Sequence, residues 1–271
     1  MKPDISIIYV LARSGGTLVS RCLACMQDNV LLSEIHPRCA YFHPLTQAYD
    51  WFQLISREEL NTYVHQRKIP YIDSIKLVSN RCRERGLNLI IRDWTHVDYI
   101  PGRYPVQPAY KLSQYEVLGE HFNVHHLAVV RDPVDTFLSL SRLKNYRGGW
   151  LSLQEYLVGY RRFAEIAAET GYVQYEEFCD KPKDVMHHIC SILNIDFDGQ
   201  FLKKYASYKN ITGDPYSEEQ QATLTGELAG MRSSGEIKRP SRREGWETMA
   251  LELEDNADYK RSLEILGYSC R

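Results

Sequence analysis

The stretch Ile5-Ser6-Ile7-Ile8-Tyr9-Val10-Leu11-Ala12 is a short apolar run that ends in Arg13-Ser14-Gly15-Gly16-Thr17. Val19, Cys22, Leu23 and Met26 then recur at helical spacing. A strand that is apolar along its whole length has to be covered on both faces, which is the situation of an inner strand in a parallel sheet. A strand of this kind, followed at once by a glycine turn and a helix, predicts a βα unit.

The rest of the chain repeats that unit. Val30-Leu31-Leu32 reads as a second strand, placed beside the first. A polar helical stretch over about 56–86 leads into a third strand, Leu87-Asn88-Leu89-Ile90-Ile91, which ends at Arg92-Asp93. His125 to Val130 is the fourth strand. Behind it Asp132 suits a helix N-cap, Pro133 the first helical position, where no amide is needed, and Asp135 the third. Helices over about 152–169 and 182–193 flank a strand at about 172–175. Beyond 215 the pattern reads as a helix, a basic loop at 236–246 and a last helix. Alternating strands and helices predict α/β architecture: one domain over residues 1–271, with a mostly parallel central sheet flanked by helices. Ligands of such sheets bind at the carboxyl ends of the strands, where Arg13, Glu34, Arg92-Asp93 and Arg131 fall.

Composition excludes several classes. With 33 basic and 35 acidic residues the formal charge is −2, so a general nucleic-acid or anionic-membrane footprint is not expected. The first apolar run is too short for a signal peptide and no segment approaches a membrane span, so a cytoplasmic protein is expected. Seven cysteines are an odd number scattered over apolar and polar stretches, which argues for reduced thiols rather than a disulfide framework. Cys22 and Cys25 form a C-x-x-C, but inside the first helix and with no second pair, so they read as packed helix residues.

Small residues in Ala12-Arg13-Ser14-Gly15-Gly16-Thr17 let backbone amides converge on an anion at a helix N-terminus. A nucleotide triphosphatase loop would carry lysine after its glycines; here none follows, and Arg13 precedes them. A glycine turn without a ligand is the alternative. Arg131 ends the fourth strand and Ser139 lies eight residues on, two turns into the next helix. A guanidinium fork and a hydroxyl suit a second phosphate, and together the two sites describe a nucleotide phosphorylated at both ends.

Arg13-Ser14-Gly15-Gly16-Thr17-Leu18 resembles the 5′-phosphosulfate loop of the sulfotransferases that use 3′-phosphoadenosine 5′-phosphosulfate (PAPS). Val130-Arg131-Asp132-Pro133-Val134-Asp135-Thr136-Phe137-Leu138-Ser139 resembles their 3′-phosphate motif, with the same arginine-to-serine spacing. Val173-Gln174-Tyr175-Glu176-Glu177-Phe178 looks like the strand with an adenine-contacting tyrosine, Tyr175. Ile237-Lys238-Arg239-Pro240-Ser241-Arg242-Arg243-Glu244-Gly245-Trp246 is similar to the basic loop that closes over the 3′-phosphate, with Arg239, Arg242 and Arg243 as its candidates. The matches occur in family order over most of the chain. Two departures stand out: Leu18 replaces the tryptophan of the cytosolic enzymes, and the closing loop lacks their Arg-Lys-Gly.

The resemblance implies a P-loop-like sulfotransferase fold and sulfuryl transfer from PAPS to a hydroxyl of a small-molecule or carbohydrate acceptor. Its chemistry requires in-line attack, stabilisation of the departing oxygen and removal of the acceptor proton. Arg13 and the amides of Ser14 to Thr17 are expected at the phosphosulfate. No metal is expected, because a basic loop can carry the charge. Glu34, 21 residues after Arg13, resembles the general base of the tyrosylprotein and trehalose branches, and an end-of-strand carboxylate on a neighbouring strand would face the sulfuryl group. His96 is the other candidate base, since the cytosolic branch draws a histidine from this region after a lysine, where Arg92 stands here. Tyr41-Phe42, Tyr49-Trp51-Phe52 and Tyr99-Tyr104 lie in stretches beside the acceptor side, as a stacking wall or as core. A catalytically silent nucleotide-binding protein and a small-molecule kinase remain alternatives.

Overall fold

The computed structural model describes residues 2–102, 106–143, 151–213 and 236–269. Five strands form one sheet: β1 Asp4–Val10, β2 Asn29–Ile35, β3 Asn88–Asp93, β4 Asn123–Val130 and β5 Tyr172–Gln174. Their order is β2-β3-β1-β4-β5, and every neighbouring pair is parallel. The α/β sheet expected from the sequence is therefore present, with one correction: β3 lies between β1 and β2, so the second strand is not the neighbour of the first.

The apolar runs explain the layering. Ile5, Ile7 and Tyr9 of β1, with Leu89 and Ile91 of β3, pack into a cluster on one face of the sheet. Ile8 and Val10, with Ile90, Leu127 and Val129, pack into a second cluster on the other. Period-2 alternation sends successive side chains to opposite faces, and both faces are apolar because both are covered. Removing one such side chain, as in Ile91→Ala, costs about 2–5 kcal/mol. Ser6 breaks the run without cost in hydrogen bonding, since its hydroxyl donates to the Leu193 carbonyl at 2.7 Å.

The helices on the second-cluster face include α1 Gly16–Ala24, which carries Cys22 and Leu23 into that cluster. The crossover from β2 to β3 contains α2 Pro44–Asp50, α3 Arg57–Leu60, a π-helical turn at Asn61–Gln66 and α4 Tyr71–Glu84. The single helix expected over 56–86 is thus broken. Lys68 takes φ +50, and Pro70 disfavours helical geometry for Ile69 before it. Beyond β3 come α5 His96–Tyr99 and α6 Ser113–Gly119, then α7 Pro133–Ser141 after β4 and α8 Leu153–Thr170 before β5. The chain continues as α9 Tyr175–Asp180, α10 Pro182–Ile192, α11 Phe201–Lys204, α12 Trp246–Glu252 and α13 Ala257–Leu266. Tyr175 therefore opens α9 rather than ending the strand. The helix expected directly after 215, Tyr104 and Cys270 lie outside the described residues.

The six described cysteines are free. Cys25 donates its thiol to the Cys22 carbonyl at 3.3 Å, and burial pushes that thiol up to about 12, so it is protonated at neutral pH. Among the described residues no helix is long and apolar enough to cross a membrane.

Candidate functional site

The loop after β1 is built on unusual backbone. Arg13 has φ +72 and Gly15, the N-cap of α1, has φ +86. A left-handed arginine is strained, and such strain persists only where its surroundings hold it. Gly15 is required for two reasons: its positive φ, and the ring of Tyr175, whose Cδ2 would lie 2.0 Å from an added Cβ. Gly16 lets α1 lie close on β1, since a Cβ there would fall 2.7 Å from Val10 Cγ1. No side chain caps α1, which leaves its N-terminal amides suited to an anion.

At the end of β4, Arg131 and Ser139 come to the same loop. Asp132 caps α7 by accepting from the Asp135 amide at 2.9 Å, and Pro133 takes the first helical position. Ser139, two turns on, accepts from Arg13 Nε at 2.9 Å, and Arg131 Nη1 donates to the Arg13 carbonyl at 3.3 Å. The Arg131 guanidinium carbon lies 5.3 Å from the centre of the Tyr175 ring. Arg13, Arg131, Ser139 and Tyr175 are thereby brought together beside the loop after β1.

The basic closing loop contributes unequally. The Arg243 amide donates to Asp135 Oδ1 at 3.2 Å. Burial and then the charges of Arg131, Arg13 and Arg142 hold its guanidinium below its ordinary value. Arg13 is lowered in the same way, by burial first and by Arg131 second. Like charges held together out of water disfavour one another, and an anion between them relieves that. Arg239 instead lies 3.7 Å from Asp180, and Arg242 stacks over Trp246 at 3.3 Å. Arg243 lies near enough to Arg13 and Arg131 to be disfavoured by their charges. Leu18, next to the loop, packs partly buried against the second core cluster.

Glu34 sits in a β-bulge. The β2–β3 register steps from Ser33 opposite Arg92 to Ile35 opposite Asp93, leaving Glu34 as the extra residue, with φ +57. Bulges bend a strand and re-aim a side chain. Here the side chain meets β3: Glu34 Oε1 lies 2.7 Å from Arg92 Nη2. Arg92, 2% exposed, also donates to Thr17 Oγ1 at 3.2 Å, to Thr212 Oγ1 at 3.0 Å and to the Thr212 carbonyl at 3.3 Å. Ser33 Oγ and Thr212 Oγ1 are 2.7 Å apart. Gly213 closes the group, since a Cβ there would fall 2.9 Å from Thr17 Oγ1 and 3.8 Å from Glu34 Oε1. Glu34 therefore reaches the loop after β1 through Arg92, not across a shared strand boundary.

His96, the other candidate base, begins α5 and is 1% exposed. Burial pushes its imidazole down to about 3, so it is neutral at physiological pH. A different histidine lies near the bulge. His36 Nε2 is 3.2 Å from Asp98 Oδ2 and 3.9 Å from Asp93 Oδ1, all three side chains being fully buried. Arg38 pairs with Asp98 at 2.8 Å. Burial pushes the Asp93 carboxyl up to about 7. His36 is raised by its two carboxylate neighbours against the opposing effect of burial.

Of the aromatic residues, Tyr41, Phe42 and Trp94 form one group with ring centres 5.1–5.8 Å apart, and Tyr41 is 75% exposed. Trp51 and Phe52 pair with each other at 6.3 Å. Tyr99 is buried core, packed edge-on against Phe163.

The sequence places Arg92 at a ligand-binding strand end but does not join it to Glu34, and it gives Thr212 and Gly213 no role. Arg92 carried a signal, as a charged residue at a strand's carboxyl end. Thr212 carried none, because its contacts with Ser33 and Arg92 span well over a hundred residues. Among the described residues no group of three or more His, Cys, Asp or Glu side chains could hold a metal ion.

The chain belongs to the α/β class, with a parallel five-stranded sheet, a glycine loop after β1 and an arginine–serine pair after β4. Within that class the chain has the sulfotransferase fold. It superposes on the sulfotransferase domain of the Synechococcus PCC 7002 olefin synthase with a TM-score of 0.58 at 19% identity, covering 99% of this chain and 96% of that one. The sulfotransferase domain from the curacin biosynthetic pathway matches with a TM-score of 0.51 at 18% identity, covering 98% of each chain. No protein-family model matches the chain, and no curated protein matches it.

Proposed function

We propose that the chain is a sulfotransferase that moves a sulfuryl group from PAPS to a hydroxyl of a small-molecule or carbohydrate acceptor, releasing adenosine 3′,5′-bisphosphate. The observation that carries this reading is a pair of side-chain clusters at the loop after β1. Arg13, Arg131, Arg243 and Ser139 gather on one side of the glycine loop, and Glu34, Arg92 and Thr17 on the other. Guanidiniums held together and partly withdrawn from water suit a ligand carrying a 3′-phosphate. Tyr175, lying on Gly15 beside Arg131, offers an aromatic face at the adenosine end.

In this mechanism the acceptor hydroxyl attacks sulfur in line, and the S–O bond to the phosphate breaks with its electron pair on the phosphate oxygen. The loop amides and Arg13 stabilise that oxygen as charge builds on it. Glu34 takes the acceptor's proton. The Tyr41–Phe42–Trp94 group follows β2 and β3 and is suited to an acceptor's apolar or ring face.

Calorimetry tests the reading. Tight binding of adenosine 3′,5′-bisphosphate with no preference for ATP, together with sulfate transfer from PAPS, is the expected result. Preference for ATP supports a kinase, and binding without transfer from PAPS supports a silent nucleotide-binding protein.

A further inference from the structure

We propose that Arg92 is a further functional residue of the transfer step, holding Glu34 as an oriented carboxylate and becoming an uncompensated cation when Glu34 takes the proton. This inference rests on the sulfotransferase reading above.

The geometry behind it is local and redundant. Arg92 is almost fully buried, and among the described residues its one carboxylate partner at salt-bridge distance is Glu34, at 2.7 Å. A guanidinium stripped of water strongly favours a negative partner. Its remaining bonds do not neutralise it: Thr17 Oγ1, Thr212 Oγ1 and the Thr212 carbonyl are uncharged acceptors. Its Nε is buried and has no hydrogen-bond partner among the described residues. Thr17 belongs to the loop expected to hold the phosphosulfate, so Arg92 links the proposed base to that loop. The bulge at Glu34 and the close approach of Gly213 both serve to bring the carboxylate onto this one arginine.

The charge balance then follows the reaction. Before transfer the Glu34–Arg92 pair is neutral, and one carboxylate oxygen, Oε1, is held by Arg92 while the other is left to accept a proton. As the acceptor oxygen bonds to sulfur, its proton passes to Glu34, and the S–O bond to the phosphate breaks toward the bisphosphate oxygen. Glu34 is now neutral. Arg92 keeps its charge and has lost its counter-charge at the moment when negative charge is spread over the sulfuryl oxygens. A neutral pair thereby turns into a cation beside the transferring group, without any side chain having to travel.

The experiment compares wild type with Arg92→Met, Arg92→Lys, Glu34→Gln and the Arg92→Met/Glu34→Gln double variant. Adenosine 3′,5′-bisphosphate binding is measured by calorimetry. kcat and KM for PAPS are measured with water as acceptor, by sulfate release. Arg92→Met is expected to bind the bisphosphate within about threefold of wild type and to lose about 10²-fold or more in kcat, on the scale of deleting one charge-stabilising group. Arg92→Lys should recover part of kcat. In the Glu34→Gln background Arg92→Met should cost much less than it does alone, because the two act as a unit. Unchanged kcat in Arg92→Met overturns the proposal, as do multiplicative losses in the double variant. A parallel loss of bisphosphate binding and kcat, unrelieved in Arg92→Lys, makes Arg92 a structural residue only and overturns it too. Failure of the wild type to bind the bisphosphate, or to transfer sulfate from PAPS to any hydroxyl acceptor or to water, overturns instead the sulfotransferase reading beneath it.

Discussion

Arg13 Nε donates to Ser139 Oγ at 2.9 Å, tying the loop after β1 to the middle of α7 across 126 residues of sequence. The sequence reading assigned these two residues to opposite ends of a nucleotide. The contact brings Arg13 to the serine expected at the 3′-phosphate, while Arg131 anchors Arg13's own carbonyl.

Donor recognition is the first consequence. Arg131→Ala should weaken adenosine 3′,5′-bisphosphate by about 1.5–3 kcal/mol, the scale of a charge-assisted contact, and adenosine 5′-phosphate much less. Arg13→Ala should raise KM for PAPS and also lower kcat, because its interaction strengthens as charge builds on the departing oxygen. Calorimetry with both nucleotides and steady-state kinetics check the pair. Equal losses for the two nucleotides would remove Arg131 from the 3′-phosphate, and a raised KM with unchanged kcat would reduce Arg13 to a binding residue.

The two candidate bases should separate in the same assay. Glu34→Gln keeps shape and the contact to Arg92 while deleting basicity, so bisphosphate binding should hold while turnover falls about 10²–10⁴-fold. His96 is buried and kept neutral, so His96→Asn should act mainly on stability. A dead His96→Asn beside an active Glu34→Gln would reverse the assignment.

How much of this was legible in the sequence depends on the range of the interaction involved. β1 and its loop were readable because an unbroken apolar run and a glycine pair are local signals, and the cap Asp132-Pro133 was readable for the same reason. Strand order was not. β2, although an edge strand, is as apolar as the inner ones, and nothing in Val30–Leu32 says whether β1 or β3 lies beside it. The consequence reaches the site: the bulge at Glu34 aims at Arg92 only because β3 intervenes. The break at Lys68-Ile69-Pro70 was available from the proline but was overridden by the polar helical pattern around it. Thr212 could not have been read at all, since only the folded chain brings it to Ser33.

Gly15 offers a steric test of the loop. Its φ of +86 disfavours any side chain, and an added Cβ would penetrate the Tyr175 ring. Gly15→Ala should therefore destabilise the protein by at least the roughly 1–2 kcal/mol of a left-handed non-glycine residue. It should also weaken bisphosphate binding, because Tyr175 must leave its place beside Arg131. Denaturant midpoints and calorimetry measure the two effects. A variant with normal stability and normal affinity would mean that Tyr175 does not need its position on the loop.

Acid should expose the buried state of His96. In the unfolded chain its imidazole titrates near the ordinary value of 6.5, whereas burial pushes it down to about 3 in the fold. Between those values the unfolded state binds a proton that the folded state refuses, so this group's contribution makes stability fall as pH drops through that window and stay level above it. The slope is at most about 1.4 kcal/mol per pH unit for one proton. Asp93 works in the opposite sense. Its folded value, raised by burial to about 7, means the fold holds a proton that the unfolded chain has lost, so its contribution declines as pH rises from the ordinary carboxylate range toward 7. The two oppose one another in the wild type, and comparison with His96→Gln isolates the histidine. Unfolding free energies from urea titrations at pH 4.5, 5.5, 6.5 and 7.5 should show wild type losing stability relative to His96→Gln toward the acid end. Parallel curves for the two proteins would mean that His96 accepts a proton as readily in the fold as out of it, and would restore it as a proton carrier in the transfer step.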